Sequence, residues 1–271
     1  QDLHEQNAHR YASFGYFRSN SMGLIAPDGG LDLYHGGLRA KDADGNLIFD
    51  HVDYSTYDTL LTEEVKPWTY MKFPYFTAMG YPEGVYRVGP LARLNIVDTC
   101  GTPHADQEWS EFRQLDRRVV LSSFYFHYAR LIECLYAVER IEQLLNDDDI
   151  LDERVRAFAG PNAGEGIGVV EAPRGTLIHH YKVDEQGRIT WANMIVSTTH
   201  NNLAMNRSVK QVAHRYVVGD KLTEGMLNRV EAVIRTFDPC LSCSTHAQNE
   251  LALQIQLVGP RGELLDEAIR G

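Results

Sequence analysis

Two kinds of periodicity alternate along this chain, and their order limits the folds open to it. From Gly164 to Val196 the sequence is β-rich, and "KVDEQGRIT" within it carries a glycine-containing hairpin turn. On either side the period becomes helical. Upstream, Leu115, Val119, Phe126, Leu131, Leu135, Val138, Ile141 and Leu145 recur at three- and four-residue steps. They predict one helix over 110–145, capped by Ser110, with Glu111 at the favourable end and "NDDD" closing it. At about 1.5 Å per residue such a helix would run roughly 50 Å. Downstream, helical spacing covers 203–216 and 223–237. The second stretch carries one apolar stripe (Met226, Leu227, Val230, Val233, Ile234, Phe237) and is stopped by Pro239. The expectation is an α+β fold, mainly helical, with long core helices and small β-hairpin or sheet insertions.

The first hundred residues are less regular. Residues 1–23 read as irregular or partly helical. Strands are expected from Leu24 to Asp50 around the turn "DADGN", and "DTLLTEEVKPW" reads as a short helix ended by Pro67. Residues 72–95, "KFPYFTAMGYPEGVYRVGPLARLN", are rich in Pro, Gly and aromatics and read as ordered loop. So long a loop inside a compact domain suggests function or packing against a partner.

Composition narrows the function classes. The 271 residues, 44% hydrophobic and 23% charged, can bury a sizeable core in one large domain or two small ones. The net charge of -11 argues against a nucleic-acid surface. There is no run of apolar residues long enough for a membrane span. The N-terminus lacks a signal-peptide apolar core and an initiator Met, so the chain reads as if cut from something longer. Cys100, Cys134, Cys240 and Cys243 are too few for a disulfide scaffold. The expectation is a cytoplasmic protein whose thiols are reduced and available to metals.

Three constellations carry chemistry. "DPCLSCSTH" places Asp238, Cys240, Cys243 and His246 at spacing C-x-x-C-x-x-H. A structural zinc site needs four ligands and this supplies three. A redox pair usually opens a helix after a strand, whereas this one follows a helix. A soft-metal thiolate site completed from elsewhere, and a plain core turn, both stay open. "EAPRGTL" sets Arg174 between a Pro and a Gly, as a surface salt bridge or as a fixed guanidinium aimed at a ligand. "STTHNN" clusters hydroxyls and amides from Ser197 to Asn202, as a helix cap or as polar ligands. "GEGIG" is followed by no Gly-Lys-Ser and lacks G-x-G-x-x-G spacing, so no nucleotide site is expected. Cys100 and Cys134 read as small core hydrophobes, and of His179 and His180 at most one faces any given site.

Taken together, "YMKFPYF…GYPEGVYRVGPLARLN", "VVEAPRGTLIHHYKVDEQGRI", "MIVSTTHNN" and "DPCLSCSTH" resemble, in order over residues 25–246, the large catalytic subunit of nickel–iron hydrogenases. The similarity is closest to the cytoplasmic NAD-reducing bidirectional group. The resemblance implies that family's large-subunit fold and reversible heterolytic oxidation of dihydrogen. It implies a nickel–iron centre with carbon monoxide and cyanide on the iron, held by two C-x-x-C pairs. Cys240 resembles a terminal nickel ligand and Cys243 a nickel–iron bridge. Arg174, with Pro173 and Asp238, resembles the group lying over the metals. Thr198 resembles the hydroxyl residue that hydrogen-bonds a cyanide, beside Ser197, where many relatives carry Pro or Ala. His246 resembles a magnesium ligand.

The resemblance also implies partners: a small subunit holding iron–sulfur clusters, diaphorase subunits binding NAD, nickel chaperones and a maturation endopeptidase. The family's N-terminal C-x-x-C is absent from these residues. Residues 1–246 are therefore expected to be a partial large-subunit domain, inactive alone, with apolar surface exposed on the long helix and around Tyr86–Asn95. The 25 residues after His246 are expected to be a cleavable maturation extension. Two other readings are weighed: a complex-I-like scaffold subunit that has lost the nickel thiolates, and a zinc-binding structural protein.

Overall fold

The computed structural model describes residues 12–116, 118–156, 163–245 and 253–270. Asn20–Ile25 (β1), Gly37–Lys41 (β2) and Leu47–Val52 (β3) form an antiparallel meander, and the β2–β3 turn is the "DADGN" segment. Tyr57–Leu60 (α1) leads into Leu61–Glu64 (β4), which pairs antiparallel with Phe73–Phe76 (β5). Tyr86–Arg87 (β6) then returns to the free edge of β1 in parallel, giving the order β3-β2-β1-β6. Pro90–Ile96 (α2), Pro103–Phe112 (α3) and Phe126–Leu145 (α4) come next in the chain. Glu165–Ala172 (β7), Gly175–Val183 (β8) and Ile189–Ile195 (β9) form a three-stranded antiparallel sheet. After it come Ser197–His200 (α5), Asn202–Tyr216 (α6), Glu224–Thr236 (α7) and Leu241–Thr245 (α8), and Leu253–Val258 (β10) pairs with Leu264–Arg270 (β11) in a hairpin.

Two cores meet across α2. On the sheet side Met22, Leu24, Tyr86, Val88, Val169, Ile178 and Ile195 pack together. On the helix side Leu91 and Leu94 of α2 pack with Phe112, Phe126, Ala129, Ile132, Leu203 and Phe237. All seven residues of α2 are buried, Arg93 and Asn95 among them. A helix buried all round must satisfy its polar side chains internally. Those two side chains do so by binding distant segments of the chain.

The expected α+β architecture is present, with sheets taking a larger share than "mainly helical" suggests. The helices at 202–216 and 224–236 and the β-block lie where the periodicity puts them. The helix expected over 110–145 is broken. Ser110 lies inside α3, its hydroxyl donating to the Asp106 carbonyl (2.8 Å), and the described residues 113–116 and 118–122 are non-helical. The reason is tertiary. Asn95 accepts from Val120 N–H and donates to the Val120 carbonyl (2.9 Å each), and Arg87 donates to the Leu121 carbonyl (2.6 Å). Side chains thus take the place of helical partners for this buried segment.

The expected stripe of α4 is only partly interior. Phe126 is buried with Ala129 and Ile132, and Leu135 packs against them, while Leu131, Val138, Ile141 and Leu145 are exposed, the apolar surface expected on this helix. Cys134 is exposed rather than a core hydrophobe, whereas Cys100 is buried and its thiol is pushed up to about 12 by that burial. "DTLLTEEVKPW" is one helical turn followed by strand β4. The stretch expected as loop holds β5, β6 and α2, and Tyr86–Asn95 is buried rather than exposed.

Replacing Asn95 by Ala should leave the Val120 N–H and carbonyl buried without partners. At about 1–3 kcal/mol for each of the two orphaned groups, urea denaturation should show a loss of roughly 2–6 kcal/mol. A loss below about 1 kcal/mol would show that Asn95 does not hold the break open.

Candidate metal centre

The site is assembled from three short segments. Helix α7 ends at Thr236, and Asp238 then takes a left-handed conformation (φ 50°) ahead of Pro239 and Cys240. Asp and Asn tolerate that region better than most residues. The sharp bend presents both the carbonyl and the carboxylate of Asp238 to Arg174. Arg174 Nε donates to the Asp238 carbonyl (2.5 Å) and lies 3.2 Å from Oδ2, and Nη2 donates to Oδ1 (3.4 Å). Both side chains are partly exposed, so the pair serves orientation more than stability.

Arg174 occupies a two-residue turn. Ala172 pairs with Gly175 across β7 and β8, leaving Pro173 and Arg174 as the connection. Gly175 has φ 134°, and a Cβ there would stand 2.3 Å from Val88 Cγ2. A Cβ on Gly89, at φ 90°, would stand 2.6 Å from the Arg174 carbonyl. Only two glycines allow the two backbones this approach.

The third segment is α5. Thr198 Oγ1 accepts from the Cys240 N–H (3.1 Å), and Ser197 Oγ donates to the Gly175 carbonyl (2.8 Å). Adjacent hydroxyls therefore tie α5 to the cysteine loop and to the arginine turn. Cys240 and Cys243 lie across the first turn of α8 with Cα atoms 5.4 Å apart, joined as a disulfide. Three-residue spacing over one helical turn brings both sulfurs to one side. Two-electron reduction of that pair yields two thiolates, the donor type that soft metals take. Of the residues expected at the site, Pro173, Arg174, Ser197, Thr198, Asp238, Cys240 and Cys243 come together, and His246 lies outside the described residues. Among the described residues no group of three or more His, Cys, Asp or Glu is placed to hold a metal. The donor set fits two sulfur ligands of a metal centre.

Several neighbours escaped the sequence reading. Burial and the nearby Arg130 push His127 of α4 below its ordinary range, while Asp238 pulls it back. Burial lowers Arg130, whose guanidinium donates to the Thr236 carbonyl (3.2 Å). Asn201 accepts from Val88 N–H (2.9 Å) and donates to the Val88 carbonyl (3.2 Å). Glu171, fully buried, faces Arg93 at 2.7 Å; burial pushes its carboxyl up and Arg93 opposes that. A lone acid in an apolar strand just before Pro-Arg-Gly was the available signal for Glu171.

A family model described as "Nickel-dependent hydrogenase" matches residues 5–246. The chain belongs to that family. It is 42% identical over 275 residues to the beta subunit of the NAD-reducing hydrogenase HoxS of Cupriavidus necator, covering 99% of this chain and 56% of that one. It is 43% identical over 244 residues to a subunit of the vhc F420-non-reducing hydrogenase of Methanococcus voltae, covering 88% and 51%. Among solved structures, an NAD+-reducing [NiFe]-hydrogenase in the H2-reduced state superposes with TM-score 0.86 at 48% identity, over 90% of this chain and 54% of that one. The as-isolated [NiFeSe] hydrogenase of Desulfovibrio vulgaris Hildenborough shares the fold at TM-score 0.64 and 21% identity, over 90% and 56%. The chain thus spans about half the length of these hydrogenase subunits. No helix among the described residues is long and apolar enough to cross a membrane.

In this family member α5 also carries a pH-sensitive group. His200 is fully buried, its Nδ1 hydrogen-bonded with the Tyr86 hydroxyl (2.6 Å), and burial pushes it down to about 3. The unfolded value is near 6.5. Its folded pKa being depressed, the contribution is complete above about 6.5 and is lost as pH falls toward 3. The slope is about 1.4 kcal/mol per pH unit. Between pH 6.5 and 5 the unfolding free energy should therefore fall by about 2 kcal/mol more in the parent protein than in His200→Gln. Equal losses in the two would contradict this account of His200.

Proposed function

We propose that this chain carries the C-terminal share of a nickel–iron site and serves as the catalytic subunit of a hydrogenase that oxidises dihydrogen reversibly. The observation that supports this most is the meeting of Arg174, Thr198, Asp238 and Cys240, far apart in sequence, in one hydrogen-bonded set. In this reading the reduced Cys240 and Cys243 would hold the metal, Cys240 to nickel alone and Cys243 shared with iron, as the resemblance implies. The remaining sulfur ligands come from outside the 271 residues. A nickel–iron centre, when bound, supplies the heterolytic cleavage of dihydrogen.

The chain's own residues do the rest. Arg174, aligned by Asp238 beside Pro173, presents a cation that needs no reorganisation as charge develops. The Cys240 sulfur, as a thiolate, accepts the proton. Thr198 keeps the Cys240 amide in place; its hydroxyl would donate to a cyanide on the iron, as the resemblance implies, with Ser197 beside it. His246 would bind a magnesium ion, as the resemblance implies. Electrons leave to a small iron–sulfur subunit, then on to NAD through diaphorase subunits, as the resemblance to NAD-reducing relatives implies, in the cytoplasm. The family match ends at residue 246 and the β10–β11 hairpin lies beyond it. That supports reading 247–271 as an extension that an endopeptidase removes after nickel chaperones have delivered the metal.

In the assembled enzyme, Arg174→Lys should keep its nickel and iron while hydrogen-dependent reduction of an acceptor falls about a hundredfold or more, the scale of losing one preorganised electrostatic group. Full turnover in that metal-loaded variant would return Arg174 to an ordinary surface ion pair.

A further inference from the structure

We propose that the buried Arg93–Glu171 pair positions Arg174, setting where its guanidinium stands relative to Asp238. The inference rests on the reading of Arg174 given above only for its functional consequence; its structural claim stands on geometry alone.

The Arg93 side chain is 2% exposed and the Glu171 side chain 0%. A guanidinium has five N–H donors in a fixed planar fork, and Arg93 has five acceptors. Nε and Nη2 bind the Glu133 carboxylate (2.6 Å each), and Nη1 binds Glu171 Oε2 (2.7 Å). The other two donors reach backbone: Nη1 to the Ala172 carbonyl (2.9 Å) and Nη2 to the Pro173 carbonyl (3.3 Å). These are the two residues immediately before Arg174. Glu171 fixes the direction of the fork. Its Oε1 accepts from Leu24 N–H on β1 (3.0 Å) and from the Thr176 hydroxyl on β8 (2.7 Å).

The far side of the turn is gripped as well. The Arg174 carbonyl faces Asn201 Nδ2 (3.5 Å), and the Gly175 carbonyl accepts from Ser197 Oγ (2.8 Å). All four consecutive carbonyls from Ala172 to Gly175 are thus held by side chains from elsewhere in the fold. A two-residue hairpin turn needs no such support to form. Burying a charged trio (Arg93, Glu133, Glu171) is also a poor way to gain stability, because apolar packing of similar volume often does as well or better. What the trio supplies is a fixed location for one turn, and the side chain projecting from that turn is Arg174.

The test uses the assembled, metal-loaded enzyme. Glu171→Gln keeps shape but turns an amide N–H₂ toward Arg93, or loses Leu24 and Thr176 if the amide flips. Its crystal structure should show Arg174 Nε drawn away from the Asp238 carbonyl; an unmoved guanidinium overturns the proposal. Turnover should fall by roughly tenfold or more, the scale of losing an outer partner at a metal site. The Glu171→Gln/Arg174→Lys double variant should be no slower than Arg174→Lys alone, whereas losses that multiply would mean an independent, merely structural role. Should Glu171→Gln fail to fold, Glu133→Gln at the more exposed end of the fork carries the same two readouts. An Arg174→Lys enzyme with full turnover would contradict the functional reading of Arg174, while the guanidinium's displacement still decides the positioning.

Discussion

The guanidinium of Arg93 is the interaction on which the candidate site depends. It projects from a helix with no exposed residue, and its five donors join α4, β7 and the arginine turn. Remove it and two carboxylates remain, Glu171 fully buried and Glu133 nearly so, a loss far larger than any surface ion pair. Arg93 itself is raised by those carboxylates against the lowering effect of burial, so it stays charged. The same helix supplies Asn95, which holds the extended segment through Val120. One buried turn of chain therefore decides both where the helical core is interrupted and where the arginine turn stands.

Such a device explains why much of the fold, and only part of the site, is legible in the sequence. The β7–β9 sheet and the two helices after it arise from local period and turn chemistry, which act within a few residues. The interruption between α3 and α4 does not, because its cause is Asn95 and Arg87, twenty or more residues upstream. Helical periodicity in "FHYARLIECLYAVERIEQLL" marks the helix, but the stripe read from it is only partly interior: Phe126 is buried with Ala129 and Ile132, where α2 and α3 pack, and most of its later residues are exposed. Residues 72–95 looked like loop because Pro, Gly and aromatics suppress local propensity. They are nevertheless ordered and largely interior, since they run between the two cores.

At the site, residues with chemistry in dense motifs were readable: Arg174 between Pro and Gly, the paired hydroxyls at 197–198, the two cysteines after Asp-Pro. The residues that hold those groups were not. Glu171, Gly89 and Arg93 act through contacts across roughly 80 to 150 residues, and nothing in their neighbours signals the partner. The exposed stripe of α4, from Leu131 to Leu145, and the exposed Cys243 lie on one chain that spans about half the length of its relatives. The proposed centre needs sulfur ligands beyond the two seen together.

The central proposal is that Cys240 and Cys243 are ligands of nickel beside the Arg174–Asp238 pair. Anomalous X-ray diffraction at the nickel edge, from crystals of the assembled and reduced enzyme, tests it most directly. The account predicts one nickel peak within bonding distance of both Cys240 Sγ and Cys243 Sγ, on the side that Arg174 and Asp238 face. A nickel peak away from both sulfurs, or a zinc edge signal at the pair with no nickel, would contradict it.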